Sequence, residues 1–385
     1  MILYLSSVME DDLFARLVRE GCISGGYQAQ KFNSLVVLGL AKRREVVAIS
    51  NPPYNKNIQK VNIGSSVTNG LAKYITISPN FSKFHKIKNY LEMNKYIKQV
   101  TRQKMPYAVV CDAINPLASM HALRISHKFK IPAIAIVTDI PQYMDARKIT
   151  FFTRLTSKLL KNYDGYVLLT EAMNELVNPK KKPMIVMEGL CDSTSNTNVE
   201  IGQKQKIILY SGSLSKGTGI ENLLEAFKRL GAMEWELHIY GNGECLELVK
   251  SYAKEVSSIK YQGIEPNNII VQRQKEASLL INPRPSEIQY GHVSFPSKIM
   301  EYLVSGTPVL TTKLPGIPYE YFDFMYTIDD CSVEGILGAL RETIEIPMEE
   351  RVKKGRAAHQ FVVEKKSYLM QTQRIMQLIK EIRKE

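Results

Sequence analysis

Residues 206–230 read Lys206-Ile-Ile-Leu-Tyr-Ser-Gly-Ser-Leu-Ser-Lys-Gly-Thr-Gly-Ile-Glu-Asn-Leu-Leu-Glu-Ala-Phe-Lys-Arg-Leu230. An apolar β-rich run (206–213) gives way to a glycine- and serine-rich turn and then to a helical stretch. The same rhythm continues downstream, with strand-like runs at 235–241, 259–263, 277–283, 307–312 and 325–329. Upstream it occupies 2–7, 45–50, 74–78, 107–113, 132–139, 165–170 and 183–189, with helical stretches at 28–42, 82–104, 117–129 and 147–162. Continuous apolar runs alternating with helices predict parallel sheets covered on both faces. The polar stretch 192–205 interrupts the rhythm. The expected fold is therefore α/β, with two Rossmann-like doubly wound domains facing a cleft. Their expected bounds are 1–192, a linker over 193–205, and 206–365. A terminal helix over 366–385 is left free to pack back on the first domain. Ligands of open parallel sheets bind beyond the carboxyl ends of the strands, so the informative residues should follow the strands.

Composition fits an ordinary globular protein of 385 residues, with 44% hydrophobic and 23% charged side chains. The five cysteines (Cys22, Cys111, Cys191, Cys245, Cys331) form no CxxC pair, so neither a disulfide nor a zinc site is expected. No apolar run reaches transmembrane length, and MILYLSS lacks a basic leader before Glu10-Asp11-Asp12, so a cytoplasmic protein is expected. The net charge of +13 is concentrated in residues 1–200, which hold 27 Lys and Arg against 15 Asp and Glu. An anionic partner for that half is one reading: membrane surface, nucleic acid or phosphorylated substrate. A solvated basic surface is the other.

Four segments stand out. Ser294-Phe-Pro-Ser-Lys-Ile-Met-Glu-Tyr-Leu-Val-Ser-Gly306 predicts a helix from about 296 to 305, opened by Pro296 and stopped by Gly306. Ile299, Met300, Leu303 and Val304 form its core face, with Ser297, Glu301, Ser305 and Lys298 outside it. Free amides at its start (295–298) suit a diphosphate, and Glu301 suits an attached ribose; a surface glutamate on an amphipathic helix is the alternative. The 212–217 turn offers amides and Lys216 to phosphate, or is simply a flexible turn; it lacks Walker A spacing. Gly241-Asn-Gly-Glu244 is read as a strand-to-helix turn. In the first half, Gly25 and Gly26 bring backbone to an acceptor or cap a helix, while Asp112, Asn115 and Asp139 either orient an acceptor hydroxyl or cap helices. Basic and aromatic residues interleave in 81–90 and 147–161, which suits an anionic bilayer or plain core packing. No Ser/His/Asp order, HExxH or metal-spaced His/Cys cluster occurs, so hydrolase and metalloenzyme readings lack support.

Taken together, YSGSLSKGTGIENLLEAF, LHIYGNGE and VSFPSKIMEYLVSGTPVLTTKLPGIPYEY resemble the family-four retaining glycosyltransferases of the GT-B fold. The likeness to bacterial capsule and exopolysaccharide members is strongest in the last stretch. The resemblance implies sugar transfer from a nucleoside diphosphate sugar with retained configuration, without an obligatory metal or bound cofactor. It places Gly212, Ser213, Lys216, Phe295, Pro296, Ser297, Lys298 and Glu301 on the donor, and Gly25 and Gly26 match its glycine-rich first loop on the acceptor side. From their places after strands, Asn115 joins the acceptor side and Asp112 and Asp139 are the catalytic candidates. Glu301 matches the second glutamate of the family's Glu-x7-Glu motif, whereas the first position holds Val293, with Glu287 or His292 as substitutes. Ser213 stands where the family has arginine, and Thr218 where it has lysine, leaving Lys216 as the replacement. The implied partners are a nucleotide sugar, a glycan or lipid-linked acceptor and an anionic membrane surface at its inner face, rather than nucleic acid. The rival readings are an epimerase or pyridoxal phosphate-dependent phosphorylase of the same fold, and a noncatalytic nucleic-acid- or membrane-binding protein.

Overall fold

The computed structural model describes residues 1–23, 25–55, 67–78, 84–144, 150–192, 204–231, 234–287 and 291–385. They form two compact units, Met1–Leu190 with Tyr368–Glu385, and Cys191–Ser367. Of the expected linker, 193–203 lie outside the described residues. Lys204 is buried, its Nζ donating to the Lys275 carbonyl (2.6 Å) and Thr307 Oγ1 (2.7 Å), and Gln205 already begins a strand.

The first unit has strands β1 (Ile2–Ser6), β2 (Val46–Ser50), β3 (Val67–Asn69), β4 (Ala72–Thr76), β5 (Ala108–Asp112), β6 (Ala133–Val137), β7 (Gly165–Leu168) and β8 (Met184–Val186). They are ordered β3-β4-β2-β1-β5-β6-β7-β8. Helices α1 (Asp11–Arg19), α2 (Tyr27–Ala41), α3 (His85–Gln103), α4 (Pro116–Phe129), α5 (Pro141–Met144), α6 (Phe151–Leu160) and α7 (Met173–Val177) connect them. Every residue of β1, β2, β5 and β6 is buried, as continuous apolar runs require when helices cover both faces. Among the described residues one pairing is antiparallel, β3 on β4; β3 is absent from the sequence reading because Val67-Thr-Asn69 holds a single apolar residue, unlike the equally short edge strands Met184-Ile-Val186 and Tyr326-Thr-Ile328, which lie within longer apolar runs.

The second unit has β9 (Gln205–Ser211), β10 (Glu236–Tyr240), β11 (Ile259–Gly263), β12 (Ala277–Asn282), β13 (Val309–Thr312) and β14 (Tyr326–Ile328), all parallel in the order β11-β10-β9-β12-β13-β14. Its helices are α8 (Ile220–Leu230), α9 (Leu246–Glu255), α10 (Asn267–Glu276), α11 (Ser297–Ser305), α12 (Val333–Glu345) and α13 (Met348–Lys365). Strand order reverses between β9 and β12, and in the first unit between β1 and β5, which is where such sheets open a crevice at their carboxyl edge.

The last helix, α14 (Tyr368–Arg383), belongs to the first unit. Its Tyr368, Ile375, Met376, Leu378 and Ile379 join the core beneath α2. Gly39 makes that approach possible, because a Cβ there would lie 2.5 Å from Thr372 Oγ1 and 2.8 Å from the Tyr368 carbonyl oxygen. Among the described residues no helix is long and apolar enough to cross a membrane.

Candidate functional site

In the second unit, the turn after β9 is braced from below. The Gly212 N–H donates to the Tyr240 carbonyl (3.0 Å), Leu214 N–H to the Asn242 carbonyl (2.9 Å), and Lys216 N–H to Glu244 Oε1 (2.9 Å). Tyr210 Oη closes the turn by donating to the Ser213 carbonyl (2.6 Å). This leaves Ser213 and Ser215 with N–H groups that have no partner among the described residues, and the exposed Lys216 with no ion pair there. The glycines of Gly241-Asn-Gly243 have a packing reason. A Cβ on Gly241 (φ +141°) would sit 1.8 Å from the Gly212 carbonyl oxygen, and one on Gly243 2.4 Å from that of Leu214.

Helix α11 begins one residue later than the sequence predicts, with Pro296 as its cap. Pro296 has no N–H, and the Phe295 ring is buried against Tyr321 (5.5 Å between centroids), so these two contribute backbone shape rather than side-chain contact. Ser297 and Lys298 bring the first amides without a partner among the described residues, and Gly306 (φ +74°) ends the helix in the left-handed conformation. Burial is wider than the sequence arc: Tyr302 and Ser305 are inside, while Val304 is only half-buried.

Glu301 is not a surface residue. Its side chain is 8% exposed, and its Oε1 accepts from Lys298 Nζ (2.9 Å) and Gln274 Nε2 (2.7 Å). Gln274, wholly buried on α10, also reaches Ser211 Oγ (3.3 Å), while the Tyr302 hydroxyl accepts from the Ser211 N–H (2.9 Å). The carboxylate is thus tied through one oxygen to α10 and the end of β9, and Oε2 has no partner among the described residues. Arg284, after β12, is half-buried with no carboxylate partner among the described residues; burial pushes its pKa down, and Tyr210 lies close enough to oppose that. Gly219 (φ +75°) lets α8 start against this strand end, because a Cβ would fall 2.1 Å from the Pro283 carbonyl oxygen.

The substitutes for the missing glutamate fare unequally. Val293 is buried, whereas Glu287 and His292 are exposed; 288–290 lie outside the described residues.

In the first unit, Asp112 ends β5 and Asp139 follows β6, so neighbouring strands bring the two to one sheet edge. Asp112 is buried with Oδ1 lacking a partner among the described residues, and desolvation raises its pKa to about 6, with help from Asp139 and against hydrogen bonds from the Ile114 N–H and the Asn33 side chain. Asn33 in turn accepts from the Tyr4 hydroxyl. Asp139 is exposed, and partial desolvation lifts its carboxyl above the ordinary range. Asn115 spends its side-chain oxygen on the α4 amides of Leu117 (3.1 Å) and Ala118 (3.2 Å), so it is a helix cap, the alternative weighed from the sequence. Gly25 and Gly26 are exposed in the left-handed region (φ +79° and +77°), Gly26 capping α2, and among the described residues nothing lies within 4 Å of a Cβ on either. Ser24, 81–83 and 147–149 lie outside the described residues.

Sequence reading missed Gln274, Arg284, Tyr302 and Glu244. Arg284 alone had a signal, as a cation two residues past a strand end; Gln274 meets Glu301 from 27 positions away, where no spacing rule operates. Among the described residues no group of three or more His, Cys, Asp or Glu side chains could hold a metal ion.

Residues 192–361 match the family model described as glycosyl transferases group 1. No curated protein matches the chain in sequence. Solved structures share its fold across nearly the whole length, among them the following three. Sucrose-phosphate synthase from Thermosynechococcus elongatus is 14% identical with a TM-score of 0.66, covering 99% of each chain. The lipopolysaccharide outer core galactosyltransferase WaaB is 14% identical with a TM-score of 0.62, again covering 99% of each. Anabaena HepE in complex with UDP-glucose is 11% identical with a TM-score of 0.62, covering 99% of this chain and 100% of that one. The two Rossmann-like units with parallel sheets are those of the GT-B glycosyltransferase structures.

Proposed function

We propose that this chain, with a group 1 glycosyl transferase match over 192–361 and the GT-B fold, is a glycosyltransferase that takes its sugar from a nucleoside diphosphate sugar. The finer reading is retention of configuration without a metal or bound cofactor, and a glycan or lipid-linked acceptor in bacterial surface polysaccharide synthesis. A lipid-linked acceptor would place the work at the anionic inner face of a membrane.

The observation that carries the reading is the half-satisfied Glu301 carboxylate, held rigidly by Lys298 and Gln274 beside an amide-bearing turn at the strand-order reversal. Glu301 Oε2 is free to accept from ribose hydroxyls. The amides of Ser213 and Ser215, the amino end of α11, Lys216 and Arg284 surround a diphosphate with donors and positive charge, with Gly212 keeping the turn low and Phe295 and Pro296 shaping the entry to α11. Such fixed donors stabilise the charge that grows on the leaving diphosphate as the sugar bond breaks. Asp112 and Asp139 orient the acceptor hydroxyl, and Gly25 and Gly26 keep backbone accessible beside it. Because HepE was solved with UDP-glucose, UDP sugars are the first donors to try.

The test is turnover of UDP-, GDP-, ADP- and dTDP-sugars with membrane extract as acceptor, and nuclear magnetic resonance of the product's anomeric centre. Release of one nucleoside diphosphate and a product with the anomeric configuration of its donor are expected. Inverted product would end the retaining reading, and no turnover by any donor would end the transferase reading.

A further inference from the structure

Helix α3 carries two faces of opposite character. Met93, Ile97 and Val100 are buried, while Ile87, Leu91, Lys95, Lys98 and Arg102 fall within an arc of about 80° on the other side at 100° per residue. That outer stripe is apolar at its start and basic further on. Phe84, the cap, is 66% exposed, Ile87 59% and Leu91 58%. A shallow surface groove lined by Leu91, Asn94, Lys95, Lys98 and Arg102 runs along it.

Helix α6 repeats the arrangement. Thr156 and Leu160 are buried; Phe151, 74% exposed, leads an outer face that continues through Arg154 and Lys158. Lys86 Nζ lies 3.4 Å above the Phe152 ring centroid and joins the starts of the two helices. Their apolar tips are therefore neighbours on one surface, with cations trailing along both. The only carboxylate on either helix, Glu92, is half-buried on α3.

We propose that α3 and α6 form one docking face for an anionic lipid bilayer. Phe84, Ile87, Leu91 and Phe151 enter the boundary between headgroups and acyl chains, and Lys95, Lys98, Arg102, Arg154 and Lys158 rest on the headgroup phosphates. Exposed large apolar side chains at helix starts, ringed by cations, suit that boundary. A nucleic acid would satisfy the cations but leave Ile87 and Leu91 in water, so the lipid surface accounts for both halves of the stripe. This face deepens the membrane part of the proposed function and rests on it for its purpose alone.

Vesicle co-sedimentation needs neither donor nor acceptor, so its failure and that of the nucleotide reading are separable. The wild-type chain should bind phosphatidylcholine:phosphatidylglycerol (3:1) vesicles at least tenfold more tightly than phosphatidylcholine alone. Lys95→Gln with Lys98→Gln should lose about twenty-fivefold on the anionic vesicles, at roughly fivefold per cation. Leu91→Ser with Phe151→Ser should lose about tenfold or more while the melting temperature stays put, since both residues are exposed. Equal binding by the Leu91→Ser, Phe151→Ser variant would overturn the proposal. So would wild-type binding to an oligonucleotide but not to vesicles, or a dimer in sedimentation that these substitutions abolish.

Discussion

The two units share one strand order around their reversal points, yet their carboxyl edges are finished differently. In the second unit the edge is tightly packed and fully argued by its neighbours: glycines 219, 241 and 243 each meet backbone oxygen closer than 2.5 Å from a would-be Cβ, and Glu301 is held by two donors. In the first, among the described residues, Gly25 and Gly26 meet nothing within 4 Å of a would-be Cβ, and Asp112 is buried with one oxygen unpaired. A nucleoside diphosphate presents the same phosphates and ribose at every turnover, which rewards a rigid site. The contrast teaches that one topology can carry a preorganised edge and a more loosely specified one; under the proposed function the preorganised edge would take the invariant part of the donor.

The sharpest way to break the contrast is to add one methyl group on each side of it. Gly241→Ala forces a Cβ into the Gly212 carbonyl and should cost about 4 kcal/mol in urea unfolding of the full chain, whereas Gly25→Ala bears only its left-handed backbone, about 1 kcal/mol. Equal costs would erase the difference. Next comes Asp112→Asn. The folded pKa of about 6 lies above the usual 3.8, so burial disfavours the charged form, and stability present below pH 4 is lost as pH rises through 6. The asparagine variant should therefore be more stable at pH 8 by up to about 3 kcal/mol and no more stable at pH 4, read from unfolding midpoints at both. Removing the Glu301 carboxylate by Glu301→Ala should weaken nucleoside diphosphate binding by about 2 kcal/mol, or roughly thirtyfold, in calorimetric titration. Smallest is Gln274→Leu, which frees Glu301 to turn: a loss of about fivefold is expected for a ribonucleotide and none for its 2′,3′-dideoxy analogue. Equal loss for both would make Gln274 a packing residue.

The sheets were legible because buried parallel strands are continuous apolar runs, and each run read from the sequence has its strand. Edge strand β3 was not: Val67-Thr-Asn69 holds one apolar residue, whereas the equally short β8 and β14 sit inside the apolar runs at 183–189 and 325–329. At the site, the glycine turn after β9 and the helix at 297–305 could be read locally, since caps and turns are written in neighbouring residues. The state of Glu301 could not. A 100° helical wheel places it outside the apolar arc, but α10 covers that side too, and only the fold puts Gln274 there. Asn115 shows the opposite case: the cap reading needed only Pro116 after it, and its side chain is occupied by α4.

Isothermal titration of the intact chain with UDP, GDP, ADP and dTDP, beside Glu301→Ala, addresses the central claim most directly. Saturable binding of one nucleoside diphosphate is expected, weakened roughly thirtyfold by the substitution while the melting temperature of the unliganded variant shows it folded. Binding of none of them, or binding that a folded Glu301→Ala variant keeps in full, would contradict it.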